Sequence, residues 1–150
     1  MYEKSIVHRI TKVLVDVLLY VGAFICLTLP LTVPAYVKFF SLNESIVIPA
    51  IIFLLVAGLC ALYILWQLRV MFKTLVDGSP FISSNVTCLR KCAVASFVIS
   101  VDFAIVDIVW FSITNSAVVI MFGLLSLFCL TLKDIFKQAI AYKEENDWTV

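Results

Sequence analysis

The sequence has little charge, little glycine and almost no histidine. Charged residues make up 14% of its 150 residues, whereas hydrophobic residues make up 63%. Soluble domains carry about 25% charged residues, so this chain has too few polar groups to surround a soluble core. With four glycines and one histidine, it shows neither a glycine-rich phosphate loop nor a histidine-based zinc motif. We therefore predict that the protein is not an enzyme and that it binds no metal and no cofactor.

Four long apolar runs account for the hydrophobic composition. They cover approximately residues 13–31, 46–68, 92–113 and 117–132, and a helix of about 20 apolar residues crosses a hydrocarbon layer of roughly 30 Å. Solid runs indicate helices, because the strands of membrane barrels alternate apolar and polar residues. We predict an all-α polytopic membrane protein: a single domain, residues 1–150, whose four transmembrane helices form an antiparallel bundle in the lipid bilayer.

The basic residues predict the orientation of these helices. With four crossings, every one of the 11 Lys and Arg residues except Lys38 lies on the side of the two termini. By the positive-inside rule both termini are cytoplasmic, together with a hairpin at 69–91 and a helical tail at 133–150. The first run is expected to be retained rather than cleaved, because it exceeds the apolar region of a signal peptide and contains Asp16. The basic excess is small and dispersed, so no direct contact with nucleic acid is expected.

Proline and capping residues predict the ends of the first two helices. Pro30 and Pro34 are expected to end the first helix, because proline lacks a backbone donor. Asn43 or Ser45 is expected to cap the second helix, which should continue beyond the bilayer to Val76.

The stretch from Asp77 to Phe81 predicts a tight turn in the cytoplasmic hairpin. Gly78 should end the second helix, because glycine adopts the left-handed closing conformation without steric cost. Pro80 should fix the direction of the exit, and Phe81 should pack back on the third helix as a hydrophobic staple does. The expected cap of the third helix is one of three polar residues: Ser83, Ser84 or Asn85.

Two aspartates lie inside the third apolar run. Each opposes insertion by roughly 2.5 to 3.5 kcal/mol near the bilayer centre, so both should face protein or water. At about 100° per residue Asp107 shares a face with Ser96, Ser100 and Thr114, whereas Asp102 points elsewhere. We interpret this face as a polar helix-packing seam. The aspartates are either hydrogen-bonding groups between helices or sites for an ion, a proton or a ligand.

Asp16 and a cysteine pair are weaker candidates for chemistry. Asp16 has Lys12 and Tyr20 one turn away on either side, so an ion pair within the helix is the expected role, with ligand or proton binding as the alternative. Cys88 and Cys92 share a helical face beside Arg90 and Lys91. We expect them to pack as small apolar side chains, with acylation or redox sensing as the alternative.

Two stretches resemble a known family. "DGSPF" at 77–81, followed by Asn85 and the basic "LRK", and the final helix "LKDIFKQAIAYKEENDWTV" resemble the bacterial membrane proteins of the domain of unknown function 2975 family. The resemblance covers essentially the whole chain. It implies an uncharacterised protein of the bacterial inner membrane, often encoded beside small helix-turn-helix regulators, and so a membrane component that holds or signals to a transcription factor. It implies no catalytic residues.

These observations leave three hypotheses for function. In the first, the helices sense lipid, drug or membrane state, and the cytoplasmic face docks a soluble transcriptional regulator through Gly78, Pro80, Phe81, Arg90 and Lys91. In the second, the protein is a small transport or immunity protein that uses the intramembrane aspartates after forming a homo-oligomer. In the third, it is a structural subunit whose polar seam receives a helix of a partner membrane subunit.

Overall fold

The computed structural model describes residues 6–76 and 81–148, and it describes side chains over residues 10–74 and 81–146. Four long helices make up almost all of this part of the chain: α1 (Ile6–Phe39), α2 (Val47–Val76), α3 (Ser83–Val109) and α4 (Ile113–Trp148). A short 3₁₀ helix, Glu44–Ile46, precedes α2. The prediction of an all-α protein with four helices is confirmed.

The structure has four helical spans that are long and apolar enough to cross a membrane, one for each long helix, and the second begins in the 3₁₀ helix before α2. These spans are Ile10–Phe39, Glu44–Thr74, Ser83–Val109 and Ile113–Asn146. Few of their residues are buried within the protein except in α3, where 39% of the most apolar window is buried against 6% in α1 and 0% in α2. The outward faces are therefore apolar, as expected for a multi-pass membrane protein solvated by lipid.

The prediction that Pro30 and Pro34 end the first helix was wrong, because α1 continues through both prolines to Phe39. Two threonine hydroxyls add hydrogen bonds in the affected turns. Thr28 Oγ1 donates to the Ile25 carbonyl at 2.9 Å, and Thr32 Oγ1 donates to the Thr28 carbonyl at 3.1 Å. These bonds are made to carbonyls near the prolines and not to those of Cys26 and Pro30, which lose their usual i+4 donors to Pro30 and Pro34.

A Schellman motif ends α1 instead. The Leu42 N–H donates to the Val37 carbonyl at 3.0 Å and the Ser41 N–H donates to the Lys38 carbonyl at 3.2 Å. Ser41 adopts the left-handed conformation with φ 51° that this motif requires. The Asn43 side chain then accepts from the Ser45 N–H at 3.1 Å and caps the 3₁₀ helix. Asn43 was one of two residues predicted to cap the second helix, but it caps the 3₁₀ helix that precedes α2.

The connection between α2 and α3 differs from the predicted hairpin in its capping. Gly78 and Pro80 lie outside the described residues. The residue before α3 is Ile82, which provides no side-chain cap. Asn85 is fully buried, and its Oδ1 accepts from Thr74 Oγ1 at 2.9 Å. The side chain of Asn85 thus joins the end of α2 to the start of α3 rather than capping its own helix.

Each helix packs on its neighbours in chain order: α1 on α2, α2 on α3, and α3 on α4. The contacts run antiparallel, because residues near the end of one helix meet residues near the start of the next. Antiparallel packing places the start of α1, the α2–α3 connection and the end of α4 at one end of the molecule. The α1–α2 and α3–α4 connections lie at the other end.

The tightest packing lies at the end that carries the α2–α3 connection. Met71, Cys88 and Leu89 form one buried cluster there, which contacts Leu132 and Phe136 of α4. A second buried cluster follows along the helices and consists of Cys92, Ala93 and Cys129, packed against Ile64. All nine buried residues of α3 lie between Asn85 and Ser100. The half of α3 beyond Ser100 is less tightly enclosed.

Candidate functional site

A cavity of about 540 Å³ lies between α2 and α3, at the end of the molecule that carries the α1–α2 and α3–α4 connections. Its walls come from the 3₁₀ helix and the first turns of α2, from the second half of α3, and from the first turn of α4. Pro49 and the small Ala50 line the cavity on the side of α2. The volume falls in the range of roughly 300 to 1,000 Å³ that small-molecule sites occupy.

Asp102 supplies the one charged side chain among the described residues that line this cavity. Its carboxylate is half-buried. Within the described part of the chain, no side chain or backbone group donates a hydrogen bond to it, and the ion pairs there involve other acids. An acid in an apolar span without an internal partner is a candidate binding group, because burial of an uncompensated charge is costly.

Aromatic and aliphatic side chains line the rest of the cavity. The cavity is lined by three aromatic residues: Phe53 of α2, Phe103 of α3, and Trp110 directly after α3. Two further polar side chains, Ser45 and Asn115, lie at the rim. The Asn115 side-chain amide donates to the Trp110 carbonyl at 3.4 Å and thereby links the first turn of α4 to the α3–α4 connection. The arrangement resembles a small-molecule site with an apolar wall and a single charged group.

Asp107 occupies different surroundings and does not line the cavity. Its Oδ1 accepts from the Ser112 backbone N–H at 2.9 Å, and its Oδ2 accepts from Ser116 Oγ at 2.6 Å. Since α4 begins at Ile113, this carboxylate caps the start of α4 from the neighbouring helix. The structure therefore gives Asp107 a structural role and leaves Asp102 as the candidate for binding.

The polar seam lies between α3 and α4 of the same chain. Ser100 Oγ donates to the Val119 carbonyl at 2.9 Å, and Ser126 Oγ donates to the Ala93 carbonyl at 2.9 Å. Ser96 is fully buried, and its Oγ has no hydrogen-bond partner among the described residues. The small side chains allow close approach of the two helices. Because α4 already occupies this face, the seam is not open to a partner subunit.

Including Thr114 in this seam was wrong. The third helix ends at Val109 rather than at 113, so Thr114 lies in the first turn of α4, where it is exposed. The angular prediction assumed one uninterrupted helix across residues 96–114. The α3–α4 connection interrupts that helix, so the angular spacing of 100° per residue does not relate Thr114 to residues of α3.

Asp16 pairs with α2 rather than with its own helix. Arg69 Nε lies 2.9 Å from Asp16 Oδ1, with 37% and 25% of the two side chains exposed. The buried Oδ1 atom does not meet hydrogen-bond geometry, so the contact is an ion pair. The Arg69 guanidinium also lies 5.9 Å from the centroid of the Trp66 ring, within the range of a cation–π contact. The predicted neighbours Lys12 and Tyr20 are both exposed.

The residues predicted to dock a partner lie at the opposite end from the cavity. The Phe81 ring packs against the Phe136 ring of α4 with centroids 5.3 Å apart, rather than on α3 as a staple would. Arg90 and Lys91 are exposed on α3. Phe81 thus joins the α2–α3 connection to the first part of the tail.

Three of the five cysteines pack inside the protein. Cys88 and Cys92 are buried together with Cys129 of α4. A thiol enclosed in this way is poorly accessible to an acyl donor or an oxidant, so the geometry favours the predicted packing role over the alternative. Among the described residues, no group of three His, Cys, Asp or Glu side chains is arranged to bind a metal ion.

A second depression, of about 400 Å³, lies on α4 alone and is lined by apolar side chains that include Met121, Phe122 and Phe128. It contains no group that would select a ligand, so we interpret it as a lipid-facing surface.

Sequence reasoning missed Arg69 as the partner of Asp16 and the three aromatic residues that line the cavity with Asp102. A signal existed for the first, because Arg69 is the basic residue nearest the end of the second apolar run, and Asp16 lies near the start of the first. In an antiparallel pair those positions meet. No comparable signal existed for Phe53, Phe103 and Trp110, since the sequence contains 12 phenylalanines in similar apolar surroundings.

The fold defines the class of protein as an all-α, multi-pass membrane protein with four spanning helices. Residues 41–150 match the family described as Protein of unknown function (DUF2975), and the chain belongs to that family. The matched range contains α2, α3, α4, the Asp102 cavity and the seam, whereas α1 precedes it. The resemblance predicted from the sequence covered α1 as well. No curated protein and no solved structure matches the chain.

Proposed function

We propose that this protein is a regulatory component of the bacterial inner membrane, which senses an apolar molecule at one end and docks a soluble helix-turn-helix regulator at the other. The observation that carries the proposal is the Asp102 cavity, a partly open site between helices whose described lining includes a single acid without an internal partner, inside an apolar span. We propose a non-enzymatic role, because the described residues that line the cavity offer one carboxylate and no nucleophile paired with a base. The end with the hairpin and tail is cytoplasmic in this proposal.

The sensing part of the proposal rests on the difference between the two ends of the molecule. The end near the α2–α3 connection is filled by the clusters around Met71 and Cys92. The other end contains the cavity, which is partly open. A ligand that binds between two helices favours the arrangement of the helices that it fits best, and such a difference in affinity is the requirement for a switch.

The docking part rests on the contact between the Phe81 and Phe136 rings, which joins the hairpin to the tail. Phe81 remains 44% exposed, so an incoming protein can still reach it. Exposed Arg90 and Lys91 provide positive charge on the same end of α3. The helix α3 extends from these residues to the cavity, and a displacement of α3 by a ligand would therefore reach the docking surface.

The test is capture of the regulator from bacterial membranes. The tagged intact protein is compared with Phe81→Ala, Phe136→Ala and a deletion from Lys143 onward, and with Phe39→Ala as a matched control. Phe39 is 82% exposed and lies at the cavity end. We expect the intact protein and the control to retain a protein with a helix-turn-helix domain, and the other three to lose it. Recovery of no such protein, or equal recovery from all variants, would count against docking.

Transport through the aspartates receives less support as a second function. A path that uses both acids needs them on one cavity, whereas Asp107 caps α4 and only Asp102 lines the cavity. Ion or dye flux into proteoliposomes that disappears in Asp102→Asn would favour this function over sensing.

A further inference from the structure

We propose that the ligand of the Asp102 cavity is an amphiphilic cation, in which one quaternary or protonated nitrogen, or a similar onium centre, is attached to an apolar body. This inference deepens the proposed function and rests on it. It follows from the charge, the aromatic lining and the depth of the site.

The charge of the cavity selects a cation. Asp102 is the one ionisable side chain among the described lining residues, and no Lys or Arg is present there. The surrounding end of the molecule adds Glu44 and Asp107, while Lys38 is its one basic residue. An anion would meet repulsion from this field. A neutral ligand would fill the space but would leave the carboxylate without a partner, which costs more than pairing it.

The aromatic side chains that line the cavity favour a ligand with an apolar body and a poorly hydrated positive charge. Phe53, Phe103 and Trp110 provide aromatic surface in the same cavity as the carboxylate. Aromatic rings attract poorly hydrated cations such as quaternary ammonium groups, and Trp does so most strongly. A small hydrated metal ion would gain little from this surface and would lack the several oxygen ligands that it needs.

The depth of Asp102 favours a free amphiphile over the head group of a membrane phospholipid. Asp102 lies seven residues before the end of α3 at Val109, which corresponds to about 10 Å along the helix axis. A phospholipid that reached Asp102 with its amine would bring its phosphate into the same apolar cavity. A single cation on an apolar body avoids that cost.

Trp110 provides a reporter within the cavity. The chain has three tryptophans, so replacing Trp66 and Trp148 by Phe leaves Trp110 as the only one. The protein is purified in the uncharged detergent dodecyl maltoside and titrated with tetraphenylphosphonium, its anionic isostere tetraphenylborate, and neutral triphenylphosphine oxide. Tryptophan emission is measured in the parent and in Asp102→Asn, Asp102→Glu and Asp134→Asn variants. Asp134 is the charge-matched control, since its side chain is 65% exposed on the tail.

We expect a saturable emission change with tetraphenylphosphonium and an affinity about tenfold or more above that for the neutral oxide, equivalent to about 1.4 kcal/mol. Asp102→Asn should remove this preference, while Asp102→Glu and Asp134→Asn should keep it. Tetraphenylborate should bind most weakly. If Asp102→Glu keeps the preference for the cation and Asp102→Asn loses it, the loss reflects the missing negative charge rather than misfolding.

Two results would overturn the inference in distinguishable ways. Equal binding of phosphonium and oxide, or an unchanged preference in Asp102→Asn, would exclude a cation as the selected ligand but would leave an apolar sensing site. The absence of any saturable emission change would exclude both the cation and the sensing role of the cavity. The capture of a regulator tests the docking role independently of either result.

Discussion

At the scale of the single residue, the two aspartates of α3 differ in their partners. Asp107 accepts hydrogen bonds from the Ser112 N–H and the Ser116 hydroxyl. Asp102 has no such donor within the described residues and lines the cavity. Sequence reasoning placed the two on different faces, yet it could not assign their roles. The turn into α4 brings the donors of Ser112 and Ser116 close to Asp107. Helical periodicity does not predict such a turn.

The capping role of Asp107 predicts a graded effect of substitution. Asp107→Leu removes both acceptors and should destabilise the protein by about 1 to 2 kcal/mol, the usual effect of losing a helix cap. Asp107→Asn keeps an acceptor oxygen for the Ser112 N–H and should cost less than about 1 kcal/mol. Unfolding by dodecyl sulfate titration in mixed micelles, followed by circular dichroism, measures both. An equal loss in the two variants would show that the negative charge, rather than the cap, is what the fold requires.

At the scale of the element, α1 is attached to α2 through close contacts at two glycines. A Cβ atom at Gly58 would lie 2.6 Å from Cys26 Sγ, and one at Gly22 would lie 3.0 Å from Leu62 Cδ2. Both distances are shorter than a normal van der Waals contact. The absence of a side chain at these positions is therefore what allows the helices to approach this closely.

Gly58→Ala should consequently separate α1 from α2. We expect a destabilisation of about 1 to 3 kcal/mol from overpacking. The double variant Gly58→Ala/Cys26→Ala removes the sulfur that the new methyl group would meet, and it should recover most of the loss. Dodecyl sulfate unfolding of the two single variants and the double variant measures the coupling. Additive losses would contradict a direct contact between these positions.

The ion pair between Asp16 and Arg69 is the second attachment of α1. Because 37% and 25% of the two side chains are exposed, the expected coupling energy is about 0.5 to 1 kcal/mol rather than that of a fully buried pair. A double-mutant cycle with Asp16→Asn and Arg69→Gln measures it. The matched cycle with Lys12→Gln should give no coupling to Asp16. A larger coupling with Lys12 would favour the predicted pair within α1 over the pair seen in the structure.

The helix ends mark the limit of what sequence patterns predict at this scale. The continuation of the second helix to Val76 and of the fourth into the tail were both expected, since the apolar period extends beyond the membrane runs. The passage of α1 through Pro30 and Pro34 was not expected. Proline commonly stops helices in water-soluble proteins, whereas membrane-spanning helices tolerate it, and the sequence does not distinguish the two outcomes.

At the scale of the whole molecule, composition and run length were sufficient to predict the class of fold. They report how much apolar surface must meet lipid, and they therefore predict four spans. They do not report the register between helices, on which the Asp16–Arg69 pair and the Asp102 cavity depend. Register is set by side-chain contacts between two helices, such as that of Ser100 with the Val119 carbonyl. Such contacts leave no recognisable pattern in the sequence.

The positive-inside pattern predicts which end of the molecule faces the cytoplasm. Single cysteines are introduced at Asn43, in the connection at the cavity end, and at Ser84, beside the hairpin; both positions are exposed. The native cysteines provide a low background, because three are buried and Cys26 and Cys60 are half-buried within apolar spans. We expect a membrane-impermeant maleimide to label Asn43→Cys in cells with a permeabilised outer membrane and an intact inner membrane. Ser84→Cys should be labelled only after the inner membrane is permeabilised.

The reverse labelling pattern would place the hairpin, the tail and the Phe81–Phe136 surface outside the cytoplasm. A soluble transcriptional regulator could not reach them there, so the docking part of the proposed function would be excluded. The cavity would then open near the cytoplasmic side, and an amphiphilic cation would have to cross the bilayer before binding to Asp102. The labelling experiment therefore decides both which partner can dock and from which side the ligand arrives.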